Sequence, residues 1–533
     1  MTQPNILFAF ADDWGRYASI YKDQANASPL NQLISTPNID KIGREGATFT
    51  NAVVPAPTCT PCRSSVLSGR YFWQTRLGAI LQGAVWDENI PTYPKVLEEN
   101  GYHIGATYKT WGPGVSVGVP AYGDESHYYE TGGKNFNQFS HYVTNKVNEG
   151  VDQDEAKGEL YQEVQNNFES FLTDNSEEKP WCYWWGPTNT HRTWEKGSGK
   201  KLWNIDPDDL KGKMPDFFPD VHDVREDVAD YLGECTALDA GLGVLLKMLE
   251  ERNELDNTLI VLSGDHGIPG FPRAKANLYD IGAEVCLLAR LPNKIKAGTT
   301  ITEMTNLMDL APTFLDAAGV SKPKGMTAQS IWPKLTGTAT EEKEDWVITG
   351  RERHVATARE LNLPYPHRAI RTKDYLYIRN FKPERWPMGD PNGMDDLNAE
   401  PIPWKDLENN TRAAYSDLDA GPTKAWMIHN RNKAEHTHQF QLGFGKRPFE
   451  ELYSIKQDPH HMTNLAEDSN YESVKQELWQ KLKKELIKQK DPRITEENCR
   501  FENSPYTDVY SHGGDEAEAA APDRLNRSGS ECL

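Results

Sequence analysis

The stretch "TLIVLSGDHG", Thr258 to Gly267, carries the signature of the fold. Its apolar run is short and continuous, and it stops at Ser263 and Gly264 before an acid and a histidine. A strand of this kind is buried on both faces, the pattern of a parallel sheet covered by helices. Two further stretches share the design: "NILFAF" (5–10), followed by Asp12 and Asp13, and "PWCYWWG" (180–186). Helical patterns lie between them. "STPNIDKIGREG" (35–46) places a Ser or Thr cap ahead of an early Pro and a closing Gly. "VADYLGECTALDAGLGVLLKMLEER" (228–252) reads as a long helix feeding the strand at 258. This alternation predicts an α/β fold: a large mixed, mostly parallel sheet sandwiched by helices.

After about residue 360 the texture changes. "HRAIRTKDYLYIRNF" (367–381) and "FEELYSI" (449–455) have the look of antiparallel strands, separated by a stretch rich in Pro, Gly and Trp. In "SNYESVKQELWQKLKKELIKQ" (469–489), Val474, Leu478, Leu482 and Leu486 recur every fourth residue, as on one face of an amphipathic helix. The expected organisation is therefore a catalytic α/β unit over 1–360 and a smaller C-terminal subdomain over 361–500, made of a small antiparallel sheet and a long helix. A tail over 501–533 is low in apolar residues and is expected to be largely disordered or vector-derived.

Composition narrows the function. Lys and Arg number 58 against 79 Asp and Glu, a formal charge of −21, which argues against nucleic acid as a partner because phosphate contacts need a basic surface. An anionic substrate would have to meet positive charge gathered in a pocket. No apolar run approaches the roughly 20 residues of a membrane helix. The run near Met1 is too short and lacks the charged flank of a secretory signal, so it reads as a strand. Either the protein is cytoplasmic or its leader lies outside this sequence. The seven cysteines (59, 62, 182, 235, 286, 499 and 532) are odd in number and scattered, which suits no simple disulfide framework.

In open α/β sheets functional groups collect just past the carboxyl ends of the strands. Asp12 and Asp13 end one strand there, and Asp265 and His266 end another. A strand-end acid also caps the helix that follows, so either pair alone supports both readings. Two pairs at matching positions favour a hard divalent cation, with calcium fitting best and magnesium possible. A second feature is "TCTPCRSSVLSGR", Thr58 to Arg70. Cys59 and Cys62 could be a redox or metal pair, the segment could be a plain turn into a helix, or it could be a modification site. No close-spaced Cys or His flanks the pair, which weakens the metal alternative.

The order Cys59, Thr60, Pro61, Cys62, Arg63, then Leu67, Ser68, Gly69 and Arg70, resembles the signature of the type I, formylglycine-dependent sulfatases of the alkaline phosphatase-like superfamily. The resemblance extends from about residue 4 to about 494 and leans towards the heparan N-sulfatase-like and bacterial polysaccharide sulfatase branch. It implies that Cys59 is the precursor of 3-oxoalanine (formylglycine), that Pro61 and Arg63 belong to the recognition signal for a maturation enzyme, and that Cys62 fills a variable slot. "GYHIGATYKTWG" (101–112) is similar to the segment supplying a catalytic lysine, here Lys109. "GPTNTHRTWEKGSG" (186–199) is similar to the segment with a sulfate-binding histidine, His191, and "FPRAKANLYDIG" (271–282) would present Lys275 to the sulfate. "ELYSIKQDPHHMTNLAED" resembles the hallmark that closes the family's C-terminal subdomain.

The catalytic set implied is thus Cys59, Arg63, Lys109 and His191. The metal set is Asp12, Asp13, Asp265 and His266, with the side chain derived from Cys59. Lys275, Trp111, Arg351 and His354 are the candidates for substrate binding; an Arg351, Glu352, Arg353 run at a seam between units fits a structural salt bridge equally well. Trp184, Trp185 and Trp194 could stack on sugar rings or fill the core.

The sequence departs from the family pattern at three places. Trp111 stands where a histidine is usual, His266 where asparagine is usual, and Glu284 where arginine is frequent. The function implied is hydrolysis of sulfate esters on a sulfated polysaccharide or oligosaccharide, glycosaminoglycan-like or algal such as ulvan, in the periplasm or outside the cell. The alternatives are a phosphomonoester or phosphonate hydrolase on the same fold, and a non-catalytic saccharide-binding protein.

Overall fold

The computed structural model describes residues 3–24, 27–118, 120–339 and 345–504. Seven strands form the main sheet: β1 (Asn5–Ala11), β2 (Ala47–Phe49), β3 (His103–Tyr108), β4 (Trp181–Gly186), β5 (Thr258–Gly264), β6 (Leu287–Arg290) and β7 (Thr299–Ile301). Their spatial order is β7-β2-β6-β5-β1-β4-β3. The four strands β5, β1, β4 and β3 run parallel, while β6 is antiparallel to both its neighbours. The expected α/β architecture, mixed and mostly parallel, is what the chain adopts.

Alternation along β1 explains the layers. Leu7, Ala9 and Ala11 point to one core. Ile6, Phe8 and Phe10 point to the other. Helices on the two faces include α1 (Pro37–Glu45), α2 (Cys59–Ser68), α3 (Gln153–Asp174), α4 (His222–Glu251) and α5 (Leu310–Ala317). Phe168 and Phe171 of α3 and Leu238, Leu242 and Leu245 of α4 fill the first core. Cys62, Val66 and Leu67 of α2 and Phe314 and Leu315 of α5 fill the second. The helix expected from 228 starts at His222, six residues earlier, because Val224 and Val228 extend its buried face.

A four-stranded antiparallel sheet comes next in the chain: β8 (Trp346–Arg351), β9 (His367–Thr372), β10 (Tyr375–Asn380) and β11 (Glu450–Ser454), paired in that order. The boundary expected at 360 falls inside this sheet, since β8 precedes it and pairs with β9 from Trp346–Thr372 to Arg351–His367. Helix α6 (Glu472–Lys488) covers one face, with Leu478, Leu482 and Leu486 packed on Ile370, Tyr377 and Leu452. The same cluster takes in Phe72, Trp73 and Ile80 from the N-terminal half. On the opposite face Ala369, Leu376 and Ile378 meet Leu278 and Tyr279.

The stretch between β10 and β11, expected as a separator, is a packed insertion. It holds the helices Trp404–Asn409, Pro422–His429 and Ala434–Phe444 around Tyr415, Met427 and Phe440, and it rests on Ala276, one residue from Lys275. Of the tail expected over 501–533, Phe501 is buried in the cluster beneath α6, and residues 505–533 lie outside those described.

Candidate active site

Strands β1 and β5 run side by side in unbroken register from Asn5–Thr258 to Ala11–Gly264. The residues just beyond, Asp12 with Asp13 and Asp265 with His266, therefore leave the sheet together. Gly264 permits this: a Cβ there would sit 1.9 Å from the Trp14 carbonyl oxygen. Asp13 turns through a left-handed φ of 58°, and its N–H donates to Asp265 Oδ1 at 2.8 Å. Tyr231 of α4 donates its hydroxyl to the Asp13 carbonyl at 3.0 Å and accepts from Gly15 N–H at 3.0 Å, pinning the turn.

Helix α2 begins at Cys59 and is buried along its whole length. Its unpaired N–H groups and dipole give residue 59 an electropositive setting. One turn on, Arg63 braces the acids: Nε donates to Asp265 Oδ2 at 2.8 Å and Nη2 to Asp12 Oδ1 at 3.0 Å. Its Nη1 donates to the carbonyls of Lys109 (2.9 Å) and Thr110 (3.2 Å). Lys109 follows β3, where its N–H meets the Gly186 carbonyl, and its ammonium donates to both Asp12 oxygens at 2.7 and 2.8 Å. Lys275 reaches Asp13 Oδ2 at 2.9 Å.

Two histidines have their tautomers set by backbone carbonyls. His266 Nδ1 donates to Gly267 O at 3.2 Å, which leaves the Nε2 lone pair facing Asp13 Oδ1 (3.1 Å) and Cys59 Sγ (3.3 Å). His191 Nδ1 donates to Arg192 O at 2.6 Å, so its Nε2 accepts from Lys275 Nζ at 3.3 Å. Arg192 in turn makes a bidentate pair with Asp227 of α4, both contacts at 2.8 Å.

The electrostatics follow from crowding charge in a dry place. Burial pushes Asp12 up, yet the Lys109 ammonium and the Arg63 guanidinium outweigh it and hold the carboxyl well below the usual range. Asp13 goes the other way: burial dominates over Lys275 and raises it to about 7. Burial also raises the Cys59 thiol, against the lowering pull of Lys109 and Lys275, so an unmodified cysteine here is a neutral group and a poor nucleophile. Burial and then the Lys275 ammonium lower His191. Burial lowers His354 to about 3; its Nδ1 lies 2.6 Å from Thr58 Oγ1, at the residue capping α2.

Asp12, Asp13, Cys59, Arg63, Lys109, His191, Asp265, His266 and Lys275 thus converge, and His354 stands beside them. Trp111 docks on the flank of α2, its Nε1 donating to Ser64 Oγ at 2.8 Å. Arg351 does not fit the role expected of it. It is fully buried, donates to Pro387 O at 2.6 Å and lies 3.8 Å from Asp417, so it is packing beneath the His354 segment and offers no surface to a saccharide. Trp184 and Trp185 are core residues on opposite faces of β4, and Trp194 is covered by Arg192. Glu352 is a structural ion-pair partner of Arg368 and Arg493. Asp419, not among the residues expected here, lies 3.3 Å from Lys275 Nζ. No motif surrounds it; only the packing of the insertion brings it here.

A cation would fit this donor set. Cys59 groups with Asp13 and His266, and again with Asp12 and Asp265, each set having ligand atoms within 4.8 Å of one another. Asp13 Oδ1 is buried without a hydrogen-bond donor, as expected of an oxygen meant for an ion. Three carboxylates to one imidazole keep the site on the hard side.

Fold and site together define an α/β protein with a buried cluster of carboxylates, lysines and histidines built around the first residue of a helix. The description "Sulfatase" matches residues 4–320, and "N-sulphoglucosamine sulphohydrolase, C-terminal" matches 265–415. The chain belongs to the sulfatase family, and it is a sulfatase enzyme. Human N-sulphoglucosamine sulphohydrolase is 26% identical, over 92% of this chain and 91% of that protein. An ulvan-active sulfatase of Formosa agariphila is 25% identical, over 90% of this chain and 74% of the relative. Among solved structures, one in complex with its substrate D-glucosamine-2-N,6-O-disulfate aligns with a TM-score of 0.61 at 18% identity, covering 93% of this chain and all of that one. The phosphonate monoester hydrolase of Agrobacterium radiobacter shares the fold with a TM-score of 0.58 at 16% identity, covering 91% of this chain and 96% of that one. No helix among the described residues is long and apolar enough to cross a membrane.

Proposed function

We propose that the enzyme removes sulfate from a sulfated polysaccharide or oligosaccharide, glycosaminoglycan-like or algal, using a formylglycine derived from Cys59 and a bound calcium. The observation that carries the reading is the convergence of the α2 N-terminal residue with Asp12, Asp13, Asp265 and His266. Once converted by a maturation enzyme, residue 59 would supply a hydrated aldehyde: one hydroxyl would attack sulfur as the ester S–O bond breaks and the alcohol leaves, and loss of a proton from the other would then expel sulfate and return the aldehyde, which water rehydrates. Asp12, Asp13, Asp265 and His266 would hold a cation, which would supply charge neutralisation and lower the pKa of that hydrate.

The remaining work falls to ordinary side chains. Lys109, fixed on Asp12 at 2.7 Å, orients residue 59 and stabilises its deprotonated form. Lys275 holds a sulfate oxygen against charge developing in the transition state. His191, whose Nε2 faces Lys275, would take up the proton released by the residue 59 hydrate and pass it to the leaving oxygen. Arg63 is a positioning residue, since four of its five N–H donors are committed to Asp12, Asp265 and two backbone carbonyls. His354, buried against Thr58, steadies the start of α2, and Trp111 forms part of the wall in place of a second histidine. A periplasmic or extracellular location follows from the family resemblance and the polymeric substrate.

Peptide mass analysis around residue 59 after co-expression with the maturation enzyme is expected to find the thiol exchanged for an aldehyde. A panel of defined sulfated oligosaccharides is expected to lose sulfate with the unsubstituted enzyme and not with Cys59→Ala. Equal turnover by Cys59→Ala would remove the modified residue from the mechanism.

A further inference from the structure

Asp419 works against the binding of an anion at this centre. Its Oδ2 lies 3.3 Å from Lys275 Nζ, close enough to pair electrostatically yet without a hydrogen bond. Lys275 already has a buried partner in Asp13 at 2.9 Å, so neutrality does not call for a second carboxylate. Beside the lysine that would hold a sulfate oxygen, a fixed negative charge weakens attraction for every anion.

The insertion between β10 and β11 nevertheless holds Asp419 firmly in place. On one side Asp417 accepts from Val355 N–H at 2.8 Å and from Arg359 Nη2 at 2.7 Å. The Leu418 carbonyl accepts from the buried Lys424 ammonium at 2.8 Å, and that ammonium also holds the carbonyls of Thr411 and Tyr415. On the other side Ala420 N–H donates to Thr411 Oγ1 at 3.0 Å. The main chain on both sides of Asp419 is thus anchored, which keeps its carboxylate on the Lys275 side of the centre.

We infer that Asp419 is a specificity-determining residue: it selects singly charged ester anions over doubly charged ones, so that the centre takes sulfate monoesters and turns away phosphate monoesters. This rests on the anion-ester reading of the site given above. A sulfate monoester carries one negative charge, whereas a phosphate monoester, with a second pKa of about 6, carries nearly two at neutral pH. The repulsion from Asp419 therefore falls about twice as heavily on the phosphate ester. A cation in the centre adds the same positive charge whichever ester arrives, so it does not alter the sign of the contribution from Asp419. Such discrimination by a built-in repulsion is a general route to specificity.

The test is binding, read by calorimetry with calcium present in Cys59→Ser protein, which cannot complete turnover. The probes are phenyl sulfate, phenyl phosphate and, as a singly charged phosphorus control, methyl phenyl phosphate. Asp419→Asn is expected to tighten phenyl phosphate by about ten- to a hundredfold. Phenyl sulfate and the diester should shift together and by about the square root of that factor, roughly three- to tenfold. Asp419→Ser serves as a second variant, and unchanged thermal melting of both certifies the fold. The inference is overturned if phenyl phosphate and phenyl sulfate change in parallel, or if both weaken, since Asp419 would then only prop Lys275. Should the unsubstituted Asp419 background bind none of the three anions, the anion-ester reading itself fails, and the inference with it.

Discussion

Arg63 shows how one side chain can organise a centre. Its fork serves Asp12 and Asp265 at once and its third nitrogen closes on the strand end carrying Lys109. A lysine at this position keeps the charge but can satisfy only one carboxylate. Arg63→Lys is expected to lower kcat by about 10²-fold or more with the fold retained, measured by steady-state kinetics and circular dichroism. Arg63→Ala strips the buried Asp265 of its salt-bridge partner and should cost about 3–5 kcal/mol in denaturant unfolding. The Cys-x-Pro-x-Arg spacing makes Arg63 legible in the sequence. Asp419 was not legible, because an aspartate in a loop has no periodicity and no neighbours in sequence that share its task.

Among the elements, β4 and α4 set the geometry from behind. A Cβ on Gly186, at the end of β4, would lie 2.0 Å from the Lys109 carbonyl oxygen. Gly186→Ala is expected to push the Lys109 turn away from Asp12 and depress kcat/KM at least about tenfold, more than it lowers the melting temperature. Helix α4 carries Asp230, Glu234 and Asp239, raised chiefly by burial to about 8, 7 and 7, and their hydrogen-bond donors are neutral amide and hydroxyl groups. Folded pKa values above the unfolded ones of about 4 mean that the folded state binds these protons more tightly. Their stabilising contribution is full below the unfolded pKa and is lost as pH rises through 7 to 8. Melting temperature should therefore fall between about pH 5 and about pH 8.5, and Glu234→Gln should flatten part of that slope in scanning calorimetry.

Across the molecule, the small sheet is an essential wall. Its two faces bury α6 with Phe72 and Trp73 on one side and Leu278 with Tyr279 on the other. It therefore clamps both the segment after α2 and the segment after Lys275. Leu482→Ala should cost about 2–5 kcal/mol, with lost catalytic activity tracking the unfolded fraction in a chemical denaturation series. Because folding brings the carboxylates together, chelation is expected to lower the melting temperature and added calcium to restore it, by about 2.7 kcal/mol at a hundred times the dissociation constant.

Residue order alone was enough to specify the strands β1, β4 and β5, the buried face of α6 and the motif residues. Burial pattern is local and periodic: "TLIVLSG" and "NILFAF" read as two-face-buried strands and are so. The spacing in α6 likewise predicted the buried leucines. It took the folded chain to establish that β8 joins the small sheet, that Arg351 is packing, and that residues 382–448 form a packed insertion carrying Asp419. Those outcomes depend on pairing between segments far apart in the chain. Local spacing fixes which face of an element is apolar, but long-range packing decides what that face meets and which charge ends up beside which.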